Sequence, residues 1–265
     1  MAKLYIVGTP IGNLQDVTLR AIDTLKSVDV IACEDTRHSL PLLNKYDIHA
    51  RLIAYHKFNE AECSGKIIEL INDGQNVALI SDAGMPSISD PGAELIARCR
   101  EYGVETELVP GPTAVASAIT LSGIKASGFT FLGFLPEKKS DKANILSKAA
   151  MSGLPIVIYV APHDLTKTAS TLLEILGDRT VHVVREITKL YESVTTCTLS
   201  HFTCEERGEM VMIIEGVQTE NPLNTLSVQE HIEHYVSLGM DKKEAVKQVA
   251  KDRGVPKNEI YKFTI

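Results

Sequence analysis

Apolar residues follow two different periodicities along the first half of the chain. Short runs rich in β-branched residues predict buried strands, and the longer segments between them, where apolar residues recur every three or four positions, predict helices. The predicted strands are KLYIVG, DVIAC, RLIAY, NVALIS and TELVP, and the predicted helices are DVTLRAIDTLKSV, SLPLLNKYD, EAECSGKIIELINDG and GAELIARCREYG. This alternation predicts a mostly parallel sheet that helices cover on both faces.

The pattern changes after SGIKASG, residues 122–128, a stretch of small residues that we interpret as a hinge between domains. Strand runs now follow one another with fewer helices, which predicts a mixed sheet with antiparallel pairs. Beyond a second predicted linker, TENPLNTLSV at residues 219–228, amphipathic segments predict a small helical tail. We therefore predict an α/β protein with a parallel-sheet domain over residues 1–121, a mixed-sheet α/β domain over 122–220 and a helical tail over 221–265.

The charge balance differs between the body of the chain and its tail. The formal net charge of −7 argues against a broad nucleic-acid-binding surface. From Met240 onward, however, basic residues outnumber acidic ones, so the tail is either a solvated helix face or a local basic patch. The five scattered cysteines contain no C-x-x-C pair and indicate free thiols in a reducing cytoplasm. No apolar run is long enough to span a bilayer, so no membrane partner is expected.

Four segments rich in glycine, proline or charge directly follow predicted strands: VGTPIGN, ACEDTRHS, SDAGMPSISDPG and VPGPTAV. The carboxyl ends of parallel strands lie at one edge of a sheet, where open α/β sheets bind their ligands, so these segments predict one shared crevice. VGTPIGN lacks both the G-x-G-x-x-G spacing and a Walker lysine, which excludes those two nucleotide-binding motifs. It is either a backbone surface for a ligand or a tight turn.

The SDAGMPSISDPG segment permits three interpretations: an aspartate nucleophile, a metal-binding pair or a backbone cradle for a small ligand. Asp82 lacks the D-x-D arrangement of phosphoryl transfer, and residues 83–89, which include Pro86, separate it from Asp90 with no histidine nearby. The cradle, with no metal, is therefore favoured. In ACEDTRHS, Glu34 and Asp35 beside Arg37 either perform acid–base chemistry or neutralise one another as a structural ion pair.

Seven segments together carry a resemblance to a known family: LYIVGTPIGNLQDVTLRA, ACEDTRHS, SDAGMPSISDPG, VPGPTA, FLGFLP, REITKLYE and GEMVMIIEG. They resemble the tetrapyrrole (corrin/porphyrin) methylase superfamily, the class III S-adenosylmethionine-dependent methyltransferases. The similarity runs over essentially the whole chain and is strongest to the branch that methylates small-subunit ribosomal RNA. It implies two α/β domains with S-adenosylmethionine in the cleft between them, and the following cofactor-binding positions: Pro10, Asp82, Ala83, Gly84, Met85, Thr113, Ala114, Tyr159 and Val160.

The resemblance also implies a reaction, the 2′-O-methylation of a cytidine ribose in the decoding region of 16S ribosomal RNA. It implies small-subunit ribosomal RNA or the 30S subunit as partner, a homodimer and a cytoplasmic location. Two alternatives remain open. One is methylation of a tetrapyrrole or corrin ring, and the other is a non-catalytic RNA-binding module that keeps the cofactor cleft.

A ribose hydroxyl is a weak nucleophile near neutral pH, so a general base is expected to assist it. The candidate bases are Glu34, Asp35, His38, Glu186 and Lys189. Desolvated charges are costly unless they pair or contact substrate, so we expect one mixed-sign cluster that spans both domains and includes Glu186. Within it, the residues that we predict to carry the chemistry are Glu34, Asp35, Arg37 and Lys189.

Overall fold

Two sheets organise the chain, of which a computed structural model describes residues 2–216 and 222–263. The strands of the first sheet are β1 (Leu4–Val7), β2 (Val30–Cys33), β3 (Arg51–Ala54), β4 (Val77–Ile80) and β5 (Thr106–Val109). They lie in the order β3-β2-β4-β1-β5, and each neighbouring pair is parallel. All five are the strands predicted from the sequence, and the parallel sheet is confirmed.

Successive residues of a strand point to opposite faces of the sheet, and here both sets are apolar. Helices therefore cover both faces. The helices are α1 (Leu19–Ser27), α2 (Thr36–Lys45), α3 (Glu60–Asn72) and α4 (Ala93–Glu101). Leu25 of α1 and Leu43 of α2 pack with Val7 on one face. Ile67 of α3 and Leu95 of α4 pack with Ile6 on the other, so the two-sided arrangement is confirmed.

A mixed sheet follows in the second half, as predicted. Its elements are β6 (Thr130–Phe134), α6 (Lys139–Ala150), β7 (Ile156–Val160), α7 (Leu165–Leu176), β8 (Thr180–Arg185), β9 (Ser193–Thr198) and β10 (Met210–Ile214). The strands lie in the order β6-β7-β10-β8-β9. The β6–β7 pair is parallel and the other pairs are antiparallel. Leu146 of α6 and Leu172 of α7 cover one face of this sheet.

A helix that the periodicity did not predict, α5 (Ala114–Ser122), covers the other face of the second sheet. Its residues, AVASAITLS, are small or apolar nearly all round, so they show no amphipathic period. Val115 and Ala118 pack against Val157 and Ile213, and Ile11 from the loop after β1 joins the same cluster. The chain therefore packs its first-half loops onto its second sheet, and the predicted domain boundary at residues 121–122, at the end of α5, stays a prediction.

The chain divides into two compact units, Met1–Glu215 and Gly216–Ile265. The second unit contains α8 (Val228–Ser237), α9 (Lys242–Asp252) and α10 (Lys257–Tyr261), which pack around Ile232, Val246 and Ile260. A capping box of Ser227 and Glu230 begins α8. The predicted linker at residues 219–228 lies partly outside the described residues. Within the described ranges, no helix has the length and apolar character needed to cross a membrane.

Candidate active site

Close contact between the loops after β1 and β5 begins the site. A Cβ atom added to Gly8 would lie 2.7 Å from the Cα of Gly111 and 2.5 Å from the sulfur of Met85. The backbone N–H of Gly111 also donates to that sulfur at 3.3 Å. No larger residue fits at Gly8 without moving backbone, so the glycines of VGTPIGN and VPGPTAV allow the two loops to touch.

The loop after β4 is hydrogen-bonded to the loop after β1. The N–H of Thr9 donates to the carbonyl oxygen of Gly84 at 2.9 Å, and the N–H of Gly84 donates back to Thr9 at 3.2 Å. The Thr9 hydroxyl donates to the carbonyl oxygen of Ser81 at 3.1 Å. Gly84 has φ of +85°, a left-handed conformation that favours glycine. Its place in the motif therefore reflects the backbone conformation as well as ligand access.

A large cleft of about 680 Å³ opens beside these loops, and we refer to it below as the large cleft. The residues that line it come from loops of the first sheet and from strands and loops of the second sheet. Seven of the nine predicted cofactor-binding residues lie there: Ala83, Gly84, Met85, Thr113, Ala114, Tyr159 and Val160. Lining residues that sequence reasoning missed include Phe129, Phe131, Phe134, Met210 and Val211. Several of these belong to strand runs, where a cleft-facing apolar residue has the same signature as a core residue.

The large cleft is mainly apolar, with a few polar groups at its wall. The hydroxyl of Thr113 accepts the N–H of Ala116 at 3.4 Å and so caps α5. Burial raises the pKa of Asp90, and the charge of Asp82 raises it further. Burial, followed by the charge of Asp90, raises the pKa of Tyr159. The wall of the cleft is therefore partly desolvated at Asp90 and Tyr159.

A second pocket of about 190 Å³, the small pocket below, adjoins the large cleft and shares Ile11, Ala83 and Glu209 with it. The two remaining predicted cofactor-binding residues, Pro10 and Asp82, line the small pocket instead of the large cleft. Its other polar lining residues include Ser39, His38, Lys189 and Glu209. The two cavities thus differ in character: one is broad and apolar, and the other is small and charged.

The ACEDTRHS motif forms the turn into α2 and one wall of the small pocket. The carboxylate of Asp35 caps α2 by accepting the Arg37 N–H at 2.8 Å, and it pairs with the Arg37 guanidinium at 2.6 Å. The hydrogen bonds from Arg37 hold the pKa of Asp35 well below its usual range. His38 Nδ1 lies 2.9 Å from Asp82 Oδ2, and Asp82 Oδ1 accepts the Asp35 N–H at 3.1 Å. Burial, followed by the charges of Asp90 and Asp82, raises the pKa of Glu34.

The REITK motif forms the turn between β8 and β9 and brings Lys189 to the same pocket. Its backbone is unusual, since Glu186 and Thr188 have φ of +48° and +66°. The Thr188 hydroxyl accepts the Asn13 N–H at 3.1 Å, which joins this turn to the loop after β1. Lys189 Nζ lies 3.1 Å from Glu186 Oε1 and 2.9 Å from Glu209 Oε2. Non-glycine residues with positive φ persist where surrounding structure compensates, and they cluster at functional sites.

The expected single cluster of charges is wrong in its connectivity. Among residues 2–216 and 222–263, no ion pair joins the Asp35–Arg37 and His38–Asp82 pairs to the Glu186–Lys189–Glu209 group. Each group pairs charges of opposite sign within itself, and Lys189 faces two carboxylates. Of the four predicted catalytic residues, Lys189 lines the small pocket, and the side chain of Arg37 is 84 % exposed beside it. No set of three or more His, Cys, Asp or Glu residues in these same ranges is placed to hold a metal ion.

Similarity to known proteins covers nearly the whole chain. The family model for tetrapyrrole (corrin/porphyrin) methylases matches residues 3–203. Ribosomal RNA small subunit methyltransferase I of Bacillus subtilis (strain 168) is 45 % identical over 272 residues, which cover 98 % of this chain and 93 % of the relative. The protein of the same name from Synechocystis sp. is 37 % identical and covers 100 % of this chain and 98 % of its own.

Solved structures share the fold at lower identity. Uroporphyrin-III C-methyl transferase from Thermus thermophilus, complexed with S-adenosyl homocysteine, has a TM-score of 0.59 at 20 % identity. The match covers 81 % of this chain and 97 % of that one. Diphthine synthase has a TM-score of 0.65 at 13 % identity and covers 80 % of this chain and 89 % of its own. These likenesses support the two-sheet α/β architecture.

Proposed function

The chain belongs to the tetrapyrrole (corrin/porphyrin) methylase family, and from this premise we propose that it transfers a methyl group from S-adenosylmethionine to the ribose 2′-hydroxyl of a cytidine in the decoding region of 16S ribosomal RNA. One observation carries the choice of substrate. The relatives named for ribosomal RNA are 34 to 45 % identical to this chain over 82 to 100 % of its length, whereas uroporphyrin-III C-methyl transferase is 20 % identical. The tetrapyrrole enzymes among the solved structures cover about four-fifths of this chain.

The large cleft fits the cofactor in size and chemistry. Its volume of about 680 Å³ and apolar walls suit an adenine ring and a methionine chain. The residues that would hold the cofactor there are Ala83, Gly84, Met85, Thr113, Ala114, Tyr159 and Val160. The N-terminus of α5 lines the cleft at Ala114, where free backbone N–H groups favour a carboxylate. When bound, S-adenosylmethionine supplies a methyl group on a positively charged sulfur that is already an activated leaving group.

The small pocket and its rim form the substrate side of this proposal. Arg37 and Lys189 provide the positive charge that RNA phosphates require. Asp35 orients Arg37 through three hydrogen bonds from the guanidinium, at 2.6 to 3.2 Å. Glu34 completes the proposed catalytic set as a carboxyl of raised pKa beside them. The enzyme's main contribution is alignment of the two reactants, which can supply roughly 7–11 kcal/mol of a barrier.

Transfer of tritium from S-[methyl-³H]adenosylmethionine to small ribosomal subunits tests the proposed function. The subunits are taken from a bacterial strain that lacks its own methyltransferase for this site, and modified subunits are the control. We expect label in the unmodified 16S RNA only, resistant to alkaline cleavage at one cytidine. Label in a tetrapyrrole and not in RNA would replace this function with the first alternative. Stoichiometric RNA binding without label would replace it with the second.

We further propose that the protein works as a homodimer in the cytoplasm, where small-subunit RNA is found, and that the 30S subunit is its physiological partner. Light scattering coupled to size-exclusion chromatography checks the dimer, with twice the chain mass of 29.0 kDa expected. Comparison of label incorporation into naked 16S RNA and into 30S subunits checks the partner.

A further inference from the structure

We propose that the small pocket is the acceptor site for the ribose, and that His38, held by Asp82, is the general base that removes the proton of the 2′-hydroxyl. This inference rests on the proposed function, because it assigns roles within ribose methylation. It moves the base from the Glu34, Asp35, Arg37 and Lys189 set to a histidine that the sequence offered only as one of five candidates.

Asp82 holds the His38 ring, and both oxygens of its carboxylate are engaged. Oδ2 lies 2.9 Å from Nδ1 of His38, and Oδ1 is fixed by the backbone N–H of Asp35 at 3.1 Å. Hydrogen bonding of Nδ1 to a carboxylate places the proton of the neutral ring on Nδ1 and leaves Nε2 as the basic atom. In the part of the chain that the structure describes, Nε2 has no hydrogen-bond partner, so it is available to a substrate hydroxyl.

The location of this pair matches the requirement for a base beside a methyl donor. The small pocket shares Ile11, Ala83 and Glu209 with the large cleft, so a hydroxyl bound at His38 lies next to the proposed cofactor site. The His38 side chain is 68 % exposed, which leaves room for an RNA strand to approach. Lys189, which lines the same pocket and pairs with Glu186 and Glu209, is the cation that a phosphate beside the reacting ribose would meet.

Several charged groups set the protonation of His38. Asp82, Asp35 and Arg37 act on His38 directly. Glu34 interacts with it electrostatically, and Lys189 and Glu209 line the same pocket. The hydrogen bond to Asp82 is the largest influence and raises the pKa of His38 above its ordinary value of 6.5. A base with a pKa near the working pH combines a high deprotonated fraction with a strong affinity for the proton.

The proposed step balances without any further reactant. The 2′-hydroxyl gives its proton to Nε2 of His38 as its oxygen forms a bond to the methyl carbon. The carbon–sulfur electron pair stays on sulfur, which loses its positive charge, and His38 becomes an imidazolium stabilised by Asp82. Solvent at the exposed edge of the ring then removes the proton and restores the neutral base.

Single-turnover methyl transfer to unmodified 30S subunits tests this role in the His38→Ala and Asp82→Asn variants. A positioned base contributes roughly 100-fold to 10,000-fold, so we expect His38→Ala to lower the rate at least 100-fold. Calorimetric binding of S-adenosylhomocysteine to His38→Ala should stay within about 3-fold of wild type. Imidazole added to His38→Ala should restore part of the missing rate, because the pocket is open to solvent.

The chain offers a matched control in His49, a second exposed histidine that pairs with an aspartate. His49 Nε2 lies 2.8 Å from Asp47 Oδ1, and both side chains are more than four-fifths exposed. His49→Ala removes the same ring from a His–Asp pair outside both pockets, and we expect wild-type rates from it. An equal loss in His49→Ala and His38→Ala would overturn the assignment.

A second readout does not depend on turnover. The pKa of His38 is measured by nuclear magnetic resonance titration of the ring in the ligand-free protein, with its signal assigned from the spectrum of His38→Gln. We expect Asp82→Asn to lower this pKa, since the carboxylate is what raises it. The acidic limb of the rate profile should then move to lower pH by the same amount, because only the neutral ring accepts a proton.

The outcomes separate the two levels of proposal. Wild type that labels no small-subunit RNA would refute the proposed function itself. Wild type that labels RNA, with His38→Ala retaining more than a tenth of its rate, would refute the base and leave the function intact. An acidic limb that stays at the same pH in Asp82→Asn, although the pKa of His38 has fallen, would also refute the base and leave the function intact.

Discussion

The side chain of Lys189 lies directly against Gly12. A Cβ atom added to Gly12 would come within 2.8 Å of both Lys189 Cγ and the carbonyl oxygen of Ile187. The turn that follows β8 therefore keeps Lys189 at the small pocket only while residue 12 has no side chain. This contact explains the second glycine of VGTPIGN better than cofactor access does, because Gly12 lines the small pocket and not the large cleft.

Gly12→Ala is therefore expected to displace the 186–192 turn. The added methyl meets a backbone oxygen as well as a side chain, and overpacking of this kind costs roughly 1–3 kcal/mol. Urea unfolding measures that loss, and RNA binding should weaken as Lys189 leaves the pocket. Gly65→Ala is the control: its Cβ has no neighbour within 4 Å in α3, so stability should hold or rise by roughly 0.5–1 kcal/mol. Equal effects of the two substitutions would contradict the steric argument.

Asp35 combines a structural role with a proposed substrate role, and two substitutions separate them. Asparagine still caps a helix, so Asp35→Asn should keep α2 stable, whereas Asp35→Ala should lose roughly 1 kcal/mol of unfolding free energy. Both substitutions remove the carboxylate that orients Arg37. We expect both to weaken RNA binding and methyl transfer, with cofactor affinity unchanged by calorimetry. Full activity in Asp35→Asn would leave Asp35 as a helix cap only.

Thr113 is expected to contribute to cofactor binding through its hydroxyl. It lines the large cleft and caps α5, so Thr113→Val should weaken binding of S-adenosylhomocysteine several-fold and cost roughly 1 kcal/mol of stability. Thr113→Ser retains the hydroxyl and should retain most of both. Calorimetry with and without EDTA should give the same affinity, since the lining groups are hydroxyl, backbone and apolar. Loss of binding on chelation would show that a metal takes part.

The basic face of α9 is expected to bind RNA phosphates. Lys242, Lys243, Lys247 and Lys251 are exposed, while Ala245, Val246, Val249 and Ala250 bury the opposite side. Reversing two of these charges in the Lys247→Glu, Lys251→Glu variant should reduce the slope of log affinity against log salt by about 0.7–0.9 for each phosphate that the protein no longer neutralises. The Lys142→Glu, Lys148→Glu variant changes net charge equally on α6 and is the control. An unchanged salt slope in the Lys247→Glu, Lys251→Glu variant would show that this face of α9 is solvated and does not contact RNA phosphates.

The sequence predicted the strands and the loops well and the partners of individual side chains poorly. Periodicity identifies β1 to β5 because a buried parallel strand needs a continuous apolar run. It missed α5, whose small residues pack all round. The cofactor contact of Asp82, which the resemblance implies, stays a prediction. In the structure Asp82 lines the small pocket and pairs with His38, a contact between residues 44 positions apart that no local pattern encodes.

Glu209 shows the same limit. It directly precedes β10 in GEMVMIIEG and meets Lys189 only because β10 and β8 are neighbours in the sheet. Composition and spacing identify which loops share an edge, since that follows from parallel strands. Which carboxylate neutralises which cation depends on turn geometry, such as the positive φ angles of Glu186 and Thr188.

His231 gives the helical unit an expected dependence on pH. Its side chain is fully buried in α8, and Arg253 donates a hydrogen bond to its Nδ1 at 3.4 Å. Its Nε2 lies 3.2 Å from Asp252 Oδ2 but forms no hydrogen bond to any described residue. Burial, followed by the charge of Arg253, lowers the pKa of His231. In the unfolded chain, His231 binds a proton near its ordinary pKa of 6.5, whereas in the folded unit it binds one only at lower pH. The free energy of unfolding therefore falls as the pH drops from about 6.5 to the lowered folded pKa, and it is constant above that range. Hydrogen exchange of α8 and α9 amides in the whole protein, corrected for intrinsic rates, should show less protection at pH 5.5 than at pH 7.5. His231→Gln should remove this difference and His49→Gln should keep it; protection that increases on acidification would contradict the assignment.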